Sequence, residues 1–209
     1  MAIFNTVYGG EWSWQPWANT MIYYKFDWNL NDSSWNNNNW TAWWTIIYWT
    51  NYANLTSWYI TVPNISYTNN FTVSIWAKCT TNNWYITDNK ASNMFWRIQI
   101  YSSQYSASTD YPSYSWVKYL WNRDDNWHLI TMSASSSWVV YYLDGVQKQT
   151  SSAISSWTYT STWTKIWTVW NGTSADNPWL YAWHFIIESV ARTADEISEY
   201  YNKSKKLYS

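Results

Sequence analysis

Short stretches that alternate apolar and polar residues recur along this sequence between polar turns, and they limit the chain to β-sheet folds. In 71–77 the apolar side chains stand at every second position, which places Phe71, Val73 and Ile75 on one face of a strand. The other stretches are rich in Tyr, Val, Ile and Thr, which favour strands. We predict strands over 22–26, 57–62, 71–78, 84–87, 95–101, 114–120, 127–134, 138–143, 146–150, 163–169 and 183–190.

One turn signal stands out among these strands. Asp144 and Gly145 alone separate 138–143 from 146–150, and an Asp-Gly pair between two strands favours a tight hairpin. Many short strands at regular spacing, joined by such turns, are typical of a β-sandwich.

A single helix is predicted near the C-terminus. Thr193 and Glu196 have the spacing of a capping box, in which each side chain accepts a hydrogen bond from the other residue's backbone. Ile197, Tyr200 and Tyr201 then follow at helical spacing and form one apolar stripe. The stripe indicates that the helix packs against the body of the protein.

Charge and length exclude several classes of protein. With 12 Lys and Arg against 13 Asp and Glu, the net charge is −1, which gives no basis for binding nucleic acid or an anionic membrane. No apolar run approaches the ~20 residues of a membrane span, so we expect no membrane insertion. We also expect no secretory signal peptide, since the N-terminus lacks a basic and an apolar region. One Cys and two His leave no disulfide framework or zinc cluster.

Tryptophan occupies positions that normally belong to glycine. The chain has 23 Trp and only 4 Gly, and many of these Trp lie in polar turns, where glycine is favoured because a positive φ costs it nothing. We interpret most of them as glycine codons written as Trp, as happens when a genome that reads UGA as Gly is translated with a table that reads UGA as Trp. A Trp-rich adhesive surface is the alternative. Examples are Trp28, Trp35, Trp40, Trp58, Trp84 and Trp179.

Two tryptophans are consistent with their surroundings. Trp76 and Trp127 are flanked by alternating apolar residues, so we expect both to be buried. Many of the other tryptophans are expected to have a positive φ or to protrude into solvent.

Six motifs in order resemble laminin-G-like domains of the concanavalin A-like lectin and glucanase superfamily. The resemblance covers about residues 20–202 and improves where Trp is taken as Gly. It implies an all-β fold, a two-sheet antiparallel jelly-roll sandwich, here with one short C-terminal helix. We expect 1–19 to be an extended N-terminal segment and 20–209 to be the laminin-G-like domain. The matching segments are 23–36, 57–63, 71–78, 126–130, 141–145 and 191–201.

The resemblance also implies binding of carbohydrate or protein surfaces, in some members through calcium. Asp27, Asn29 and Asp32 could begin a calcium site, because calcium takes six to eight oxygen ligands. Family members often add an acidic residue from the last long strand, but 181–186 contains no carboxylate before Glu188. The alternative is that these side chains only form Asx turns.

We expect no enzyme. Glycoside hydrolases of related fold use two closely placed carboxylates, and the few Glu residues do not form the Glu-x-Asp-x-Glu pattern of those enzymes. Asp124 and Asp125 are adjacent, so in a strand they would point to opposite faces, and a turn is expected there. His128 is expected to be packed or hydrogen-bonded. The glutamates are Glu11, Glu188, Glu196 and Glu199.

A ligand-binding rim is predicted over 101–114, where aromatic rings can stack on sugars and polar groups can bind hydroxyls; a plain polar loop is the alternative. We expect non-enzymatic recognition of a surface glycan or protein by an extracellular or virion protein. A phage tail-fibre or receptor-binding component, which could form homo-oligomers, fits best. A purely structural virion subunit such as a capsid decoration, or a glycoside hydrolase, are the alternatives. The candidate ligand-binding residues are Tyr105, Asp110, Tyr111 and Tyr114.

Overall fold

A computed structural model describes most of the predicted domain. The described residues are 18–26, 29, 31–42, 47–49, 52–54, 60–80, 84–91, 94–101, 103–110, 117–153, 159–168 and 180–207. The strands in chain order are β1 (Thr20–Tyr24), β2 (Thr41–Ala42), β3 (Ile47–Trp49), β4 (Tyr52–Asn54), β5 (Ile60–Val62), β6 (Ser66–Tyr67), β7 (Phe71–Cys79), β8 (Trp84–Ala91), β9 (Met94–Tyr101), β10 (Gln104–Asp110), β11 (Lys118–Asn122), β12 (His128–Ala134), β13 (Trp138–Leu143), β14 (Val146–Ser152), β15 (Tyr159–Thr168) and β16 (Leu180–Glu188). They are followed by the helix α1 (Ala194–Ser204) and a short 3-10 turn, Lys205–Leu207.

The strands form two antiparallel sheets, which confirms the predicted fold class. Sheet A has the order β14-β13-β12-β7-β16-β4-β3, with β1 also paired to β16. Sheet B has the order β11-β10-β9-β8-β15-β5-β2, with β6 also paired to β15. Among the described residues, no helix is both long and apolar enough to cross a membrane.

The core lies between the two sheets and follows the predicted alternation. Phe71, Val73 and Ile75 of sheet A are fully buried there, and they face residues of sheet B such as Trp96 and Ile98. These side chains exclude water from both inner faces, which is the main stabilising contribution to such a fold.

The predicted hairpin and helix are both present. β13 and β14 pair around Asp144 and Gly145, whose φ angles of 53° and 77° are the left-handed values that a two-residue turn requires. At the start of α1 the Thr193 side chain accepts a hydrogen bond from the Glu196 backbone, and the Glu196 carboxylate accepts one from the Thr193 backbone. The Tyr200 side chain is buried on the inner stripe of the helix.

Two parts of the strand pattern differ from the prediction. Residues 104–110 form β10, although a surface rim was predicted over 101–114. This segment is mostly Ser, Thr and Gln, so its two inward apolar residues, Tyr105 and Ala107, give too weak an alternation to be recognised. The short strands β2, β3, β4 and β6 were also not predicted.

The tryptophans divide into buried and protruding groups. Trp76 is buried as predicted and Trp127 is half-buried. Trp35, at 83% exposure, protrudes as expected of a tryptophan at a glycine position, and so do Trp121 and Trp138. Others are buried, namely Trp40, Trp96 and Trp183.

The expected positive φ is absent from the described tryptophans, which corrects that part of the prediction. A bulky side chain is strained in that region. The indole N–H of buried Trp40 makes no hydrogen bond. Trp28, Trp58 and Trp179 lie outside the described residues, as does the side chain of Trp84.

Candidate functional site

The outer face of sheet B is polar. In β9 the side chains of Trp96, Ile98 and Ile100 enter the core, so the alternate residues Arg97 and Gln99 point outward. The same alternation brings further polar side chains to this face from the neighbouring strands. They are Ser106 and Ser108 of β10 and Lys165 of β15.

Strand register arranges these residues in rows across the sheet. Arg97 is paired with Ser108 on one side and with Asp88 on the other, and Asp88 is paired in turn with Lys165. Because the strands are adjacent, charged and hydroxyl-bearing positions follow one another at about 4.8 Å, the usual distance between neighbouring strands. Arg97 and Lys165 are largely shielded from solvent.

The polar face opens to solvent at a pair of stacked tyrosines. Tyr101 ends β9 and Tyr119 lies in β11, and their side chains are 44% and 43% exposed. Their ring centroids are 6.3 Å apart, and the ring planes differ by 28°. Two exposed rings at this angle form a nearly continuous apolar surface, the kind on which the C–H face of a sugar ring stacks.

Two amides lie beside these rings. Gln104 Nε2 donates a hydrogen bond of 2.8 Å to Asn122 Oδ1, which holds the two side chains together across β10 and β11. The other side-chain amide atoms, Gln104 Oε1 and Asn122 Nδ2, make no hydrogen bond with the described residues. One acceptor and one donor therefore remain for a ligand. We call Tyr101, Gln104, Tyr119 and Asn122 the tyrosine platform.

The loop between β9 and β10 fixes the position of the platform. Ser103 has a φ of 63°, and its carbonyl oxygen accepts a hydrogen bond of 2.9 Å from the backbone of Arg123. This bond ties the turn after Tyr101 to the end of β11. Next to the platform, the Lys148 ammonium lies 4.9 Å from the ring centroid of Trp121, but Trp121 is among the residues that we interpret as glycine.

Of the predicted ligand-binding residues, the structure describes Tyr105 and the backbone of Asp110. Tyr105 is fully buried between the sheets, since it occupies an inward position of β10, and its hydroxyl donates to the Asn126 carbonyl oxygen at 3.4 Å. It therefore presents no ring to a ligand, which corrects the prediction. Asp110 ends β10, opposite Phe95. Tyr111 and Tyr114 lie outside the described residues.

The Asp32 carboxylate organises the first acidic loop. Its Oδ1 accepts hydrogen bonds from the backbones of Tyr23 and Ser34, both at 2.9 Å, and its Oδ2 accepts from the Ser34 hydroxyl at 2.6 Å and the Asn38 backbone at 2.8 Å. These donors occupy the oxygens that a metal ion would need, which favours the turn alternative.

Of the other two predicted calcium ligands, only Asn29 is described. Asn29 is exposed, and its side chain accepts a hydrogen bond from the Asn31 backbone at 2.8 Å. Asp27 lies outside the described residues. Within the described part of the chain, no group of three or more His, Cys, Asp and Glu side chains could hold a metal ion.

His128 is hydrogen-bonded, as expected from the sequence. Its Nδ1 lies 2.7 Å from the Asp144 carboxylate and its Nε2 lies 2.8 Å from that of Asp124. Burial by itself lowers the pKa of His128, but the hydrogen bonds to Asp144 and Asp124 outweigh it and raise that pKa above its usual value. Because both ring nitrogens face carboxylates, the histidine ties the β11–β12 loop to the β13–β14 hairpin.

The second histidine is buried beneath α1. His184 lies at a bulge of β16, between the hydroxyls of Tyr23 at 3.1 Å and Tyr200 at 3.3 Å. Burial lowers the pKa of His184 well below its usual value, so the ring is neutral.

The described glutamates also have structural partners. Arg192 donates to the buried Glu188 at 2.7 and 3.1 Å and to Glu196 at 2.9 Å. Burial raises the pKa of Glu188 to about 7, although Arg192 opposes the shift. Glu199 pairs with Lys203 along the helix. These carboxylates lie in or beside α1, away from the tyrosine platform on sheet B.

No protein-family model matches this sequence, and a search of curated proteins found no match. Solved structures do match. The binding domain of Paraclostridial Mosquitocidal Protein 1 has a TM-score of 0.69 at 17% identity, covering 89% of this chain and 52% of that one. A structure of botulinum neurotoxin type C, whose cell entry is described as dependent on two ganglioside molecules, has a TM-score of 0.65 at 14% identity, covering 88% and 51%.

A third match spans a whole domain. Domain 4 of AbnA, a GH43 extracellular arabinanase from Geobacillus stearothermophilus, was solved in complex with arabinotriose; its TM-score is 0.64 at 18% identity, and the match covers 87% of this chain and 97% of that domain. This chain spans about half the length of the two toxin chains. At these identities the matches establish the shared β-sandwich fold. The descriptions of two of these three structures name a ligand, gangliosides in one and arabinotriose in the other.

Proposed function

We propose that this protein is a non-catalytic domain that recognises glycans of a cell surface or polysaccharide through the tyrosine platform. The exposed, stacked pair of Tyr101 and Tyr119 carries this proposal. Their rings supply a stacking surface, and the amides of Gln104 and Asn122 supply hydrogen bonds in the plane beside it. A sugar ring has both matching features, an apolar C–H face and hydroxyls around its edge.

The matched structures support a binding role. Gangliosides and arabinotriose, the ligands named for two of them, both contain sugar. The laminin-G-like motifs support the same class of function, because domains of that kind bind carbohydrate or protein surfaces. The described glutamates support it as well, since each already has a structural partner.

We further propose that the domain acts in a phage virion, as part of a tail fibre or receptor-binding protein. This proposal rests on the glycine interpretation of the tryptophans, since recoded UGA occurs in some uncultivated bacteria and their phages. Mass spectrometry of purified virions tests it, and the protein's stoichiometry there distinguishes a fibre component from a capsid decoration.

The glycine interpretation itself is tested by the mass of one natural peptide across 27–40. This peptide contains Trp28, Trp35 and Trp40, and each Gly in place of Trp lowers its mass by the difference between the two residues. Glycine at these three positions would support the interpretation, and tryptophan at all three would refute it.

The glycan-binding proposal is tested on a glycan array with the variants Tyr101→Ala and Tyr119→Ala. Loss of either ring should weaken binding about tenfold, as expected for an aromatic anchor residue. Tyr101→Phe and Tyr119→Phe are the matched controls, because they keep the stacking surface and remove only the hydroxyl. If the alanine variants bind the same glycans as the unmodified protein, the platform is not the ligand site.

A further inference from the structure

An open groove of about 750 Å³ lies on the outer face of sheet A, at the edge formed by the β13–β14 hairpin. Its floor is formed by Ser133 of β12 and Val140 of β13, which are paired across the sheet. One wall is the edge strand β14, and the other is the segment 191–194 that leads into α1. The groove and the tyrosine platform therefore lie on different sheets.

The β14 wall offers several polar groups to a ligand. Gln147, Thr150 and Ser152 are exposed and line the groove, and their side chains make no hydrogen bond with the described residues. Thr150 is paired with Val140, and Ser152 is paired with Trp138. The register thus places two hydroxyls and one amide in a line along the groove.

The opposite wall is rigid. The Ser133 hydroxyl donates a hydrogen bond of 2.8 Å to the Arg192 carbonyl oxygen, and the Arg192 backbone donates one of 2.9 Å to the Thr72 hydroxyl. These bonds fasten the segment before α1 to the outer face of β12 and β7. The groove is consequently formed before any ligand arrives, which lowers the entropic cost of binding.

The described residues that line the groove offer no cation to an anionic ligand. Arg192 is among the lining residues, but its guanidinium nitrogens are bonded to the carboxylates of Glu188 and Glu196. The other groups that line the groove are hydroxyls, an amide and apolar side chains. Such a lining recognises uncharged ligands that carry many hydroxyls.

We propose that this groove is a second binding site, which takes a neutral oligosaccharide. The ligand's hydroxyls bind Gln147, Thr150 and Ser152, and its C–H groups lie on Val140. The choice of a sugar as the ligand rests on the proposed function, but the residues of the groove are separate from those of the tyrosine platform. Trp138, 59% exposed at the end of the groove, is not required.

Nuclear magnetic resonance titration of the ¹⁵N-labelled protein tests this site. Arabinotriose, maltotriose and chitotriose are the probes, each added separately. We expect at least one of them to shift the backbone amide signals of Ser133, Thr150 and Ser152. The combined variant Gln147→Leu, Thr150→Val and Ser152→Ala keeps the side-chain shapes similar and should weaken that binding about tenfold.

Two control variants complete the test. Gln149→Leu changes an exposed β14 residue outside the groove and should leave binding unchanged. Trp138→Gly should keep binding to within about threefold, because the proposal rests on the β14 side chains; a larger loss would overturn that assignment.

Each remaining outcome is decisive. Shifts confined to residues around Tyr101 and Tyr119 would overturn the groove and leave the platform in place. Shifts confined to the groove would support this inference and count against the platform. If none of the three sugars shifts the groove signals, or if the combined β14 variant binds as well as the unmodified protein, the inference is wrong.

Discussion

The two outer faces of the sandwich follow the same alternation but carry opposite chemistry. On sheet A the outward residues include Trp76 and Leu129, and they are covered by Tyr200 of α1. On sheet B the outward positions of β9 hold Arg97 and Gln99, followed by the exposed ring of Tyr101. The apolar row of sheet A is stabilised by this cover. The polar row of sheet B is also shielded from solvent at Arg97 and Gln99, and it opens to solvent at Tyr101.

This difference separates support from recognition. The helix protects sheet A and gains stability by burying its own stripe there. Sheet B ends instead in exposed rings and amides, which contribute little to folding and are available to a ligand. Substitutions on sheet A beneath α1, away from the groove at β14, should therefore change stability, and those at the tyrosine platform should change binding. The predictions below test that separation, beginning with the largest expected effect.

Trp76→Ala should lower the free energy of unfolding by about 3–5 kcal/mol, because a large buried side chain is replaced by a cavity. The substitution also removes the stacking of Trp76 on Tyr201 and the 3.0 Å hydrogen bond from its indole nitrogen to the Ser204 hydroxyl. Urea denaturation measures the change. A loss below about 1 kcal/mol would show that the helix does not depend on this face.

Gly145→Ala should lower the free energy of unfolding by about 2–4 kcal/mol. Gly145 has a φ of 77°, and an added Cβ would lie 3.0 Å from Tyr201 Cβ and 3.1 Å from Ser198 Cα. The hairpin would have to move away from α1. Val146→Ala is the matched control, because Val146 is exposed beside the same turn; comparable losses from the two variants would contradict this explanation.

His128→Asn should lower the free energy of unfolding at both pH values. The loss, relative to the unmodified protein, should be larger at pH 5 than at pH 8. The pKa of His128 is raised in the folded state, so its contribution is fully present below about 6.5, the usual value, and is lost as pH rises through the folded pKa. We expect a loss of about 1–3 kcal/mol at pH 5, measured by urea denaturation at both values.

Glu188 is buried and its pKa is also raised, so its contribution to the free energy of unfolding likewise falls as pH rises. It is present in both proteins, so the difference between them isolates His128. A difference that is equal at pH 5 and pH 8 would contradict the role of the charged imidazole.

Tyr119→Ala should change the free energy of unfolding by less than about 0.5 kcal/mol. Tyr119 is 43% exposed and stacks only on Tyr101 among the described rings. Thermal unfolding followed by circular dichroism measures the change. A loss as large as that of Trp76→Ala would show that the platform supports the fold, and the distinction between the two faces would fail.

Local signals predicted the elements that depend on neighbouring residues. The Asp144-Gly145 turn and the Thr193–Glu196 cap are each defined within a few residues, so the sequence alone identified them. The platform could not be found in this way. Tyr101 and Tyr119 meet because β10 lies between their strands, and β10 itself was taken for a loop.

The prediction of Tyr105 had a different weakness. A Tyr-rich polar stretch predicted a binding rim over 101–114, and within it Tyr101 is exposed whereas Tyr105 is buried. Which ring faces the solvent depends on the phase of the strand, and one position decides between burial and exposure. Sequence composition alone does not give that phase.

The position of β16 has a consequence for how the chain folds. In sheet A it lies between β7 on one side and β1 and β4 on the other. The first strand of the domain therefore gains its partner only after residues 180–188 have been synthesised. Until then the ribosome-bound chain carries an unpaired β1 and an open edge on β7. Pairing between such distant segments is slow, so β1 and β4 join sheet A only after β16 has emerged and folded against β7.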